Sequence, residues 1–211
     1  SAGMVPVATA GDGGGSTRSP AAFTGLVGLK PTHGLIGRDA ANDLSVTGCL
    51  TTTVADTALW LDTAAGPTAQ DRTSIPRPST VFREVIETLD VAGLVATWSP
   101  DFGGLPVEPE VVSVAHKAAQ RLVQSAKLRW WDGEVRLPNP YWTWVAGVVI
   151  EMRAALELDG VWPDKKDLLS ERVRMRVSMA DQFSNVDLAR SARARAAPSP
   201  RRCSSSASPP S

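Results

Sequence analysis

Residues 108–126, EPEVVSVAHKAAQRLVQSA, carry the plainest periodicity in the chain. Apolar positions recur with a helical period, Pro109 stands in the first turn, acids gather at the start and bases near the end, which is how helix ends are normally composed. A second helix is predicted over 51–65, TTTVADTALWLDTAA, where Val54, Ala58, Leu59, Leu61 and Ala65 fall at mostly helical spacing before Gly66–Pro67 stop it. Residues 91–99, VAGLVATWS, are continuously apolar, the pattern of a buried strand, and PDFGG ends it. The first forty residues differ. They are glycine-rich and threaded by MVPVATA and FTGLVGLK, which predict short strands and turns around a loop, with GMVPVATA reading as a helix end feeding a strand. A polar helix is expected from Pro163 to about Asp187. Strand, helix and further extended apolar sequence in succession predict an α/β layer architecture.

The pattern stops after Asp187. LARSARARAAPSPRRCSSSASPPS holds no acid and no aromatic residue, and Leu188 is its only aliphatic side chain larger than alanine. Such sequence cannot bury a core, so 1–187 reads as a partial domain and 188–211 as a disordered low-complexity tail. Alanine, arginine, serine and proline are also what a GC-rich gene yields out of frame; a frameshift near Leu188 and a native tail both fit.

Composition narrows the class. With 22 basic and 22 acidic residues the formal charge is zero, so no nucleic-acid partner is expected. The longest apolar run, YWTWVAGVVI, ends at Glu151 and is too short to span a bilayer, so no membrane partner is expected either. Cys49 and Cys203 are the only cysteines; they build neither a disulfide framework nor a zinc site, and a reducing cytoplasmic location follows. The first residues lack a signal peptide's basic and apolar regions. The chain opens in the middle of an element and reads as a piece of a longer protein.

Candidate chemistry concentrates in GDGGGSTRSPAA, residues 11–22. Three consecutive glycines cost backbone entropy, which a catalytic loop or a flexible linker would each explain. A phosphate loop would need lysine where Gly15 stands, and a dinucleotide loop opening a helix is poorly served by Ser19–Pro20. There remains a serine preceded by unobstructed amide groups, the arrangement of an oxyanion hole.

The segment DGGGSTRSPAAFTGLVGLKPTHG also resembles the core motif of the amidase signature family, G-S/T-D-x-G-G-S-I/V-R-x-P-A-x-x-x-G-x-x-G-x-K-P-T. Asp12, Gly14, Gly15, Ser16, Arg18, Pro20, Ala21, Gly25, Gly28, Lys30, Pro31 and Thr32 fall in register with it. The likeness continues through SVTGCLTTTVADTALWLDTAAG and DRTS, and more weakly through WSPDFGGLPVEPEVVSVAHKAAQRL, covering roughly Ala2 to Gln120.

The resemblance implies a mixed β-sheet flanked by helices, here incomplete, and hydrolysis of a small-molecule carboxylic amide to carboxylate plus ammonia or amine. It implies a Ser–cis-Ser–Lys triad without metal or organic cofactor, and a homodimer is conceivable for the full-length protein. By position Ser16 is the nucleophile, the N–H groups of Gly13, Gly14, Gly15 and Ser16 form the oxyanion hole, and Asp12 and Arg18 hold the loop.

This chain departs from that pattern. The family's general-base lysine and bridging serine precede the motif, and this sequence starts after both; Ser1 is too close to the loop to be the bridge. Lys30 matches the structural lysine of GLKPT. Gly11 replaces the usual serine or threonine. Neither His33, after the KPT turn, nor His116, mid-helix, is expected to act as base.

An isolated chain is therefore expected to be nearly inactive. Two alternatives stand beside it: a non-catalytic remnant or binding and complementing module, and, within the family, a glutamyl-tRNA amidotransferase-like subunit. Trp130, Trp131, Tyr141, Trp142, Trp144 and Trp162 fit either an acyl pocket or ordinary core. The basic run RVRMRVSMA reads as a solvated helix face.

Overall fold

A computed structural model describes residues 2–38, 44–101, 104–133 and 141–196, and the chain divides into two units, residues 1–90 and 91–211. In the first, β1 (Val7–Asp12), β2 (Val27–Leu29) and β3 (Val46–Thr51) form an antiparallel sheet in the order β1-β3-β2. Residues 2–6 are not helical; the strand begins at Val7. Asp12 pairs with Val46, and both Val7 and Val27 pair with Thr51. Central β3 is the most buried strand, with Val46, Gly48, Cys49 and Thr51 all inside.

Helix α1 (Arg18–Thr24) follows β1 and ends at Gly25. The sequence reading did not foresee it because of Pro20. At the third helical position, however, proline's missing N–H has no intrahelical partner to lose. The helix packs on β2 at very close range: a Cβ on Gly28 would lie 2.5 Å from the buried Ala21 Cβ and 3.1 Å from the Thr17 carbonyl. Only glycine admits that approach.

Helix α2 (Val54–Ala64) forms where its apolar spacing places it. Thr53 accepts the Asp56 N–H (3.1 Å) and donates its hydroxyl to Asp56 Oδ2 (2.7 Å), a reciprocal cap. Thr57 of the helix meets Thr51 of β3, hydroxyl to hydroxyl, at 2.6 Å. Helix α3 (Phe82–Thr88) has no side-chain cap from its own N-cap residue, Val81. Its first N–H groups, Phe82 and Arg83, instead donate to Asp62 of α2 at 2.6 and 3.2 Å.

In the second unit, β4 (Val95–Ala96) and β5 (Arg129–Trp130) pair in parallel, with α4 (Pro109–Ser125) between them in sequence. The half-buried face of α4 carries Val112, Ala115, His116, Ala119 and Val123. His116 lies between Trp98 and Trp130, with ring centroids 5.4 and 5.8 Å away. The buried strand expected over 91–99 is reduced to two residues, and Leu94 and Val95 are exposed. A two-strand ladder buries the face bearing Ala96 and Trp130 and leaves the face bearing Val95 open.

Helix α5 (Tyr141–Leu158) buries Val145, Ala146 and Val149. The single polar helix expected over 163–187 is instead a 3-10 turn at Lys166–Leu168, α6 (Glu171–Ser178), a second 3-10 turn at Met179–Gln182, and the start of α7 (Asn185–Ala196). The break at 183–184 has a local cause. The Ser184 N–H and hydroxyl donate to Asp187 Oδ2 at 2.9 and 2.7 Å, while the Asp187 N–H donates to Ser184 Oγ at 3.3 Å. This reciprocal cap starts a new helix.

Structureless chain expected from 188 is likewise corrected: α7 runs to Ala196 and packs on α5, with Ser191 3% exposed. Alanine and arginine are strong helix formers, and one buried face suffices to hold the segment. The rest of the tail, 197–211, lies outside the described residues.

Arg153 of α5 donates to Glu157 (2.5 Å) and Asp181 (3.0 Å), and its guanidinium stands 4.6 Å over the Trp162 ring. The tryptophans therefore serve separate elements: Trp130 meets the His116 ring at a tilt of 58° and Trp162 lies under Arg153, while Trp131 is exposed. The side chains of Tyr141 and Trp142 lie outside the described residues.

Candidate active-site loop

The turn from β1 into α1 carries the serine. Asp12, the last residue of β1, is 0% exposed beneath it. Its Oδ1 accepts the Gly15 N–H at 2.6 Å and Arg18 Nη2 at 3.0 Å; its Oδ2 accepts Arg18 Nε at 2.9 Å and the Arg18 N–H at 3.3 Å. A bidentate guanidinium–carboxylate pair fixes direction as well as distance. The Arg18 guanidinium holds the Asp12 carboxyl well below the usual carboxylate range; burial pulls the other way, and the Gly15 and Arg18 N–H groups reinforce the guanidinium. Asp12 in turn raises the Arg18 side chain. The anion beneath the loop thus keeps its charge through the whole neutral range.

Thr17, fully buried, sends its hydroxyl back to the Ala10 and Gly11 carbonyls, each at 3.3 Å. The motif has isoleucine or valine at this position, so the hydroxyl of Thr17 is a departure that the motif gives no reason to single out. A buried threonine directly after the serine, with β-strand carbonyls one turn back, is the signal that would have found it. Gly15 holds φ at +104°, and a Cβ there would lie 2.8 Å from Ser19 Oγ. Its carbonyl accepts the Ser19 N–H at 2.7 Å. The loop is locked at Asp12, Gly15 and Thr17 while Gly14 and Ser16 stay exposed.

One expected donor is placed otherwise. The Gly15 N–H points down to Asp12 and not toward an external oxyanion, because the buried carboxylate is the stronger acceptor. Among the described residues no hydrogen bond engages the Ser16 hydroxyl. Lys30 directs its ammonium at the Pro31 carbonyl, 3.5 Å away. His33 lies in the turn following Pro31 and Thr32; the Thr73 hydroxyl and N–H hold the Asp71 carboxyl below its ordinary value against the effect of burial, with the Arg38 N–H and His33 adding to them. His116 lies in the second unit, on a groove of about 590 Å³ that contains none of the loop residues. The DRTS segment braces the strand-following turn: Asp71 accepts the Thr73 hydroxyl (2.6 Å), the Thr73 N–H (2.9 Å) and the Arg38 N–H (3.2 Å). No group of His, Cys, Asp and Glu that could hold a metal occurs among the described residues, nor a helix long and apolar enough to cross a membrane.

Comparison with known proteins agrees with this architecture. An acylamidase of Rhodococcus erythropolis is 44% identical over 117 residues, 54% of this chain and 24% of that protein. A glutamyl-tRNA(Gln) amidotransferase subunit of Cyanothece sp. (strain PCC 7425 / ATCC 29141) is 34% identical over 189 residues, 83% of this chain and 38% of that one. The chain thus spans between about a quarter and two fifths of the length of these curated relatives. Among solved structures, a bacterial aryl acylamidase of the amidase signature family superposes with a TM-score of 0.79 at 23% identity, covering 92% of this chain and 42% of that one. A 6-aminohexanoate cyclic dimer hydrolase gives 0.71 at 24% identity, covering 88% and 41%. The Amidase family profile matches residues 1–186. With the Asp12–Arg18 brace, the glycine turn and Ser16 in the order its motif requires, the chain belongs to the amidase family, the amidase-signature enzymes.

Proposed function

We propose that residues 12–18 are the acylation loop of a serine amidase acting on a small-molecule carboxylic amide, with Ser16 as nucleophile. Ser16 Oγ adds to the amide carbonyl carbon, and the carbonyl oxygen gains negative charge. The N–H groups of Gly14 and Ser16 meet that charge, Gly13 borders them, and Gly15 steadies them through Asp12. A single such donor is worth about 3–4 kcal/mol in comparable sites. The C–N bond then breaks, the proton taken from Ser16 leaves on the amine or ammonia, and water hydrolyses the acyl-serine ester, regenerating the hydroxyl and releasing carboxylate.

The proton needs a carrier. The family resemblance assigns it to a lysine acting through a bridging serine, both N-terminal to the loop, and Lys30 is not that base. Members of such a triad act as a unit, so Ser16 turns over amides where those two residues complete the site. The observation that carries this reading is the buried Asp12, which holds the turn rigid from below while the serine faces out.

A fluorophosphonate probe tests it. Mass spectrometry is expected to find one adduct, on Ser16, abolished in Ser16→Ala. A longer gene product that carries the lysine and bridging serine, melts cooperatively and still takes no adduct overturns the reading in favour of a non-catalytic binding module. The length of the match to the amidotransferase protein supports a second reading, ammonia supply from glutamine. Glutaminase activity without arylamide hydrolysis in the longer product would select it.

A further inference from the structure

Thr17 stands at the N-cap of α1, yet its side chain caps none of the helix N–H groups. A threonine there normally turns its hydroxyl to the N–H of the second or third helical residue. In this chain neither is open. The Ser19 N–H donates to the Gly15 carbonyl at 2.7 Å, and the next residue, Pro20, has no N–H. The hydroxyl turns back to β1 instead and lies 3.3 Å from both the Ala10 and the Gly11 carbonyl, one proton shared between two acceptors. Thr17 is fully buried. An idle hydroxyl would cost more to bury there than the second methyl of a valine of the same shape, so the bond to β1 is what suits threonine to the position.

Gly11 stands where the motif carries serine or threonine, and Thr17 where it carries isoleucine or valine. The two departures touch each other. Gly11 is the penultimate residue of β1, and a glycine there leaves the backbone looser, at the point where strand gives way to loop, than a residue with a Cβ would. The Thr17 hydroxyl ties down that glycine's own carbonyl. This tie is separate from the contacts of Asp12 with Gly15 and Arg18. Ser16 therefore sits between two fastened neighbours, Gly15 held by Asp12 and Thr17 held by the end of β1.

We propose that Thr17 is a positioning residue for Ser16: its hydroxyl ties the start of α1 to the Gly11 carbonyl and supplies the restraint that a glycine at 11 gives up. The proposal rests on the reading of Ser16 as nucleophile.

Deuterium exchange of the 211-residue chain tests the tie. Fluorophosphonate labelling of the longer gene product that carries the lysine and bridging serine tests its consequence. Thr17→Val keeps the shape and removes the hydroxyl. It is expected to speed exchange over residues 11–18 at least about threefold, the scale of one neutral hydrogen bond. It should slow the saturating rate of Ser16 labelling by a similar factor, with the probe concentration for half-maximal rate unchanged. Thr17→Ser restores the hydroxyl and is expected to recover most of both. At Gly11 a Cβ would have Ser45 Oγ, 3.9 Å away, as its nearest neighbour beyond the adjoining residues, so Gly11→Ser fits. In that background Thr17→Val is expected to have a clearly smaller effect, the coupling that a double-mutant cycle reads. Unchanged exchange in Thr17→Val, no recovery by Thr17→Ser, or additive effects in G11S/T17V overturns the proposal. Faster exchange with an unchanged labelling rate overturns the positioning role and leaves a structural tie. A native product with no Ser16 adduct overturns the nucleophile reading and the positioning role with it, while the exchange result still decides the tie.

Discussion

Arg18 reaches back six residues to grip Asp12 with two nitrogens, at 2.9 and 3.0 Å, while leaving half of its own side chain in water. The pair spans the turn that carries Ser16 and closes it like a clasp. Asp12→Asn keeps the size but removes the charge and half of the acceptor capacity, and is expected to cost about 1–3 kcal/mol of stability by urea unfolding. The effect carries a pH signature. The folded-state pKa of Asp12 is depressed, so its contribution is fully present above the unfolded value, about 3.9, and is lost as pH falls through the folded one. The stability gap between the native chain and Asp12→Asn should therefore be constant from pH 5 to 8 and narrow below about pH 4. A gap that instead closes on going up from pH 5 would contradict the assignment.

Gly15 is held by conformation as much as by space. At φ +104° an L-residue is strained, and the new methyl would meet Ser19 Oγ. Gly15→Ala is expected to cost about 1–3 kcal/mol and to lower the rate of Ser16 labelling more than that of an unrelated surface variant. Adding Ser19→Ala should relieve the close contact and recover only part of the loss, the part due to φ persisting. Full recovery would assign the whole effect to crowding.

The boundary at the C-terminus can be decided by length. A chain ending at Ala196 should match the 211-residue protein in melting temperature, whereas one ending at Asp187 should melt lower and lose α7 helicity at 222 nm. Ser184→Ala should cost about 0.5–2 kcal/mol through the lost cap. Equal melting of the two truncations would show that the segment 188–196 adds nothing to the fold.

Much of this fold was legible because short-range rules govern it. The α2 and α4 boundaries follow from apolar spacing, a threonine cap and Pro109. Ser16, Asp12 and Arg18 stand out through one dense motif, and the structure joins the latter two in a single ion pair. What escaped depends on partners distant in sequence or on a turn's detailed geometry. Val95 reads as buried because periodicity reports hydrophobicity, not whether a layer lies above it. The helix over 185–196 is hidden in the composition of the tail, which masks the Ser184–Asp187 cap at its start. The direction of the Gly15 N–H escaped because glycine permits both orientations, and the buried carboxylate chooses between them.

The carboxylate that α2 lends to the start of α3 makes the second helix conditional on the first. Seven residues long, with an N-cap valine whose side chain caps nothing, α3 falls short of what an isolated helix needs in water. Asp62 satisfies the Phe82 and Arg83 N–H groups only once its own helix is in place. Opening of α2 therefore opens α3 with it, while α3 can open by itself. Under native conditions the α3 amides should exchange with deuterium no more slowly than α2 permits, and Asp62→Ala should release α3 alone, leaving α2 protected.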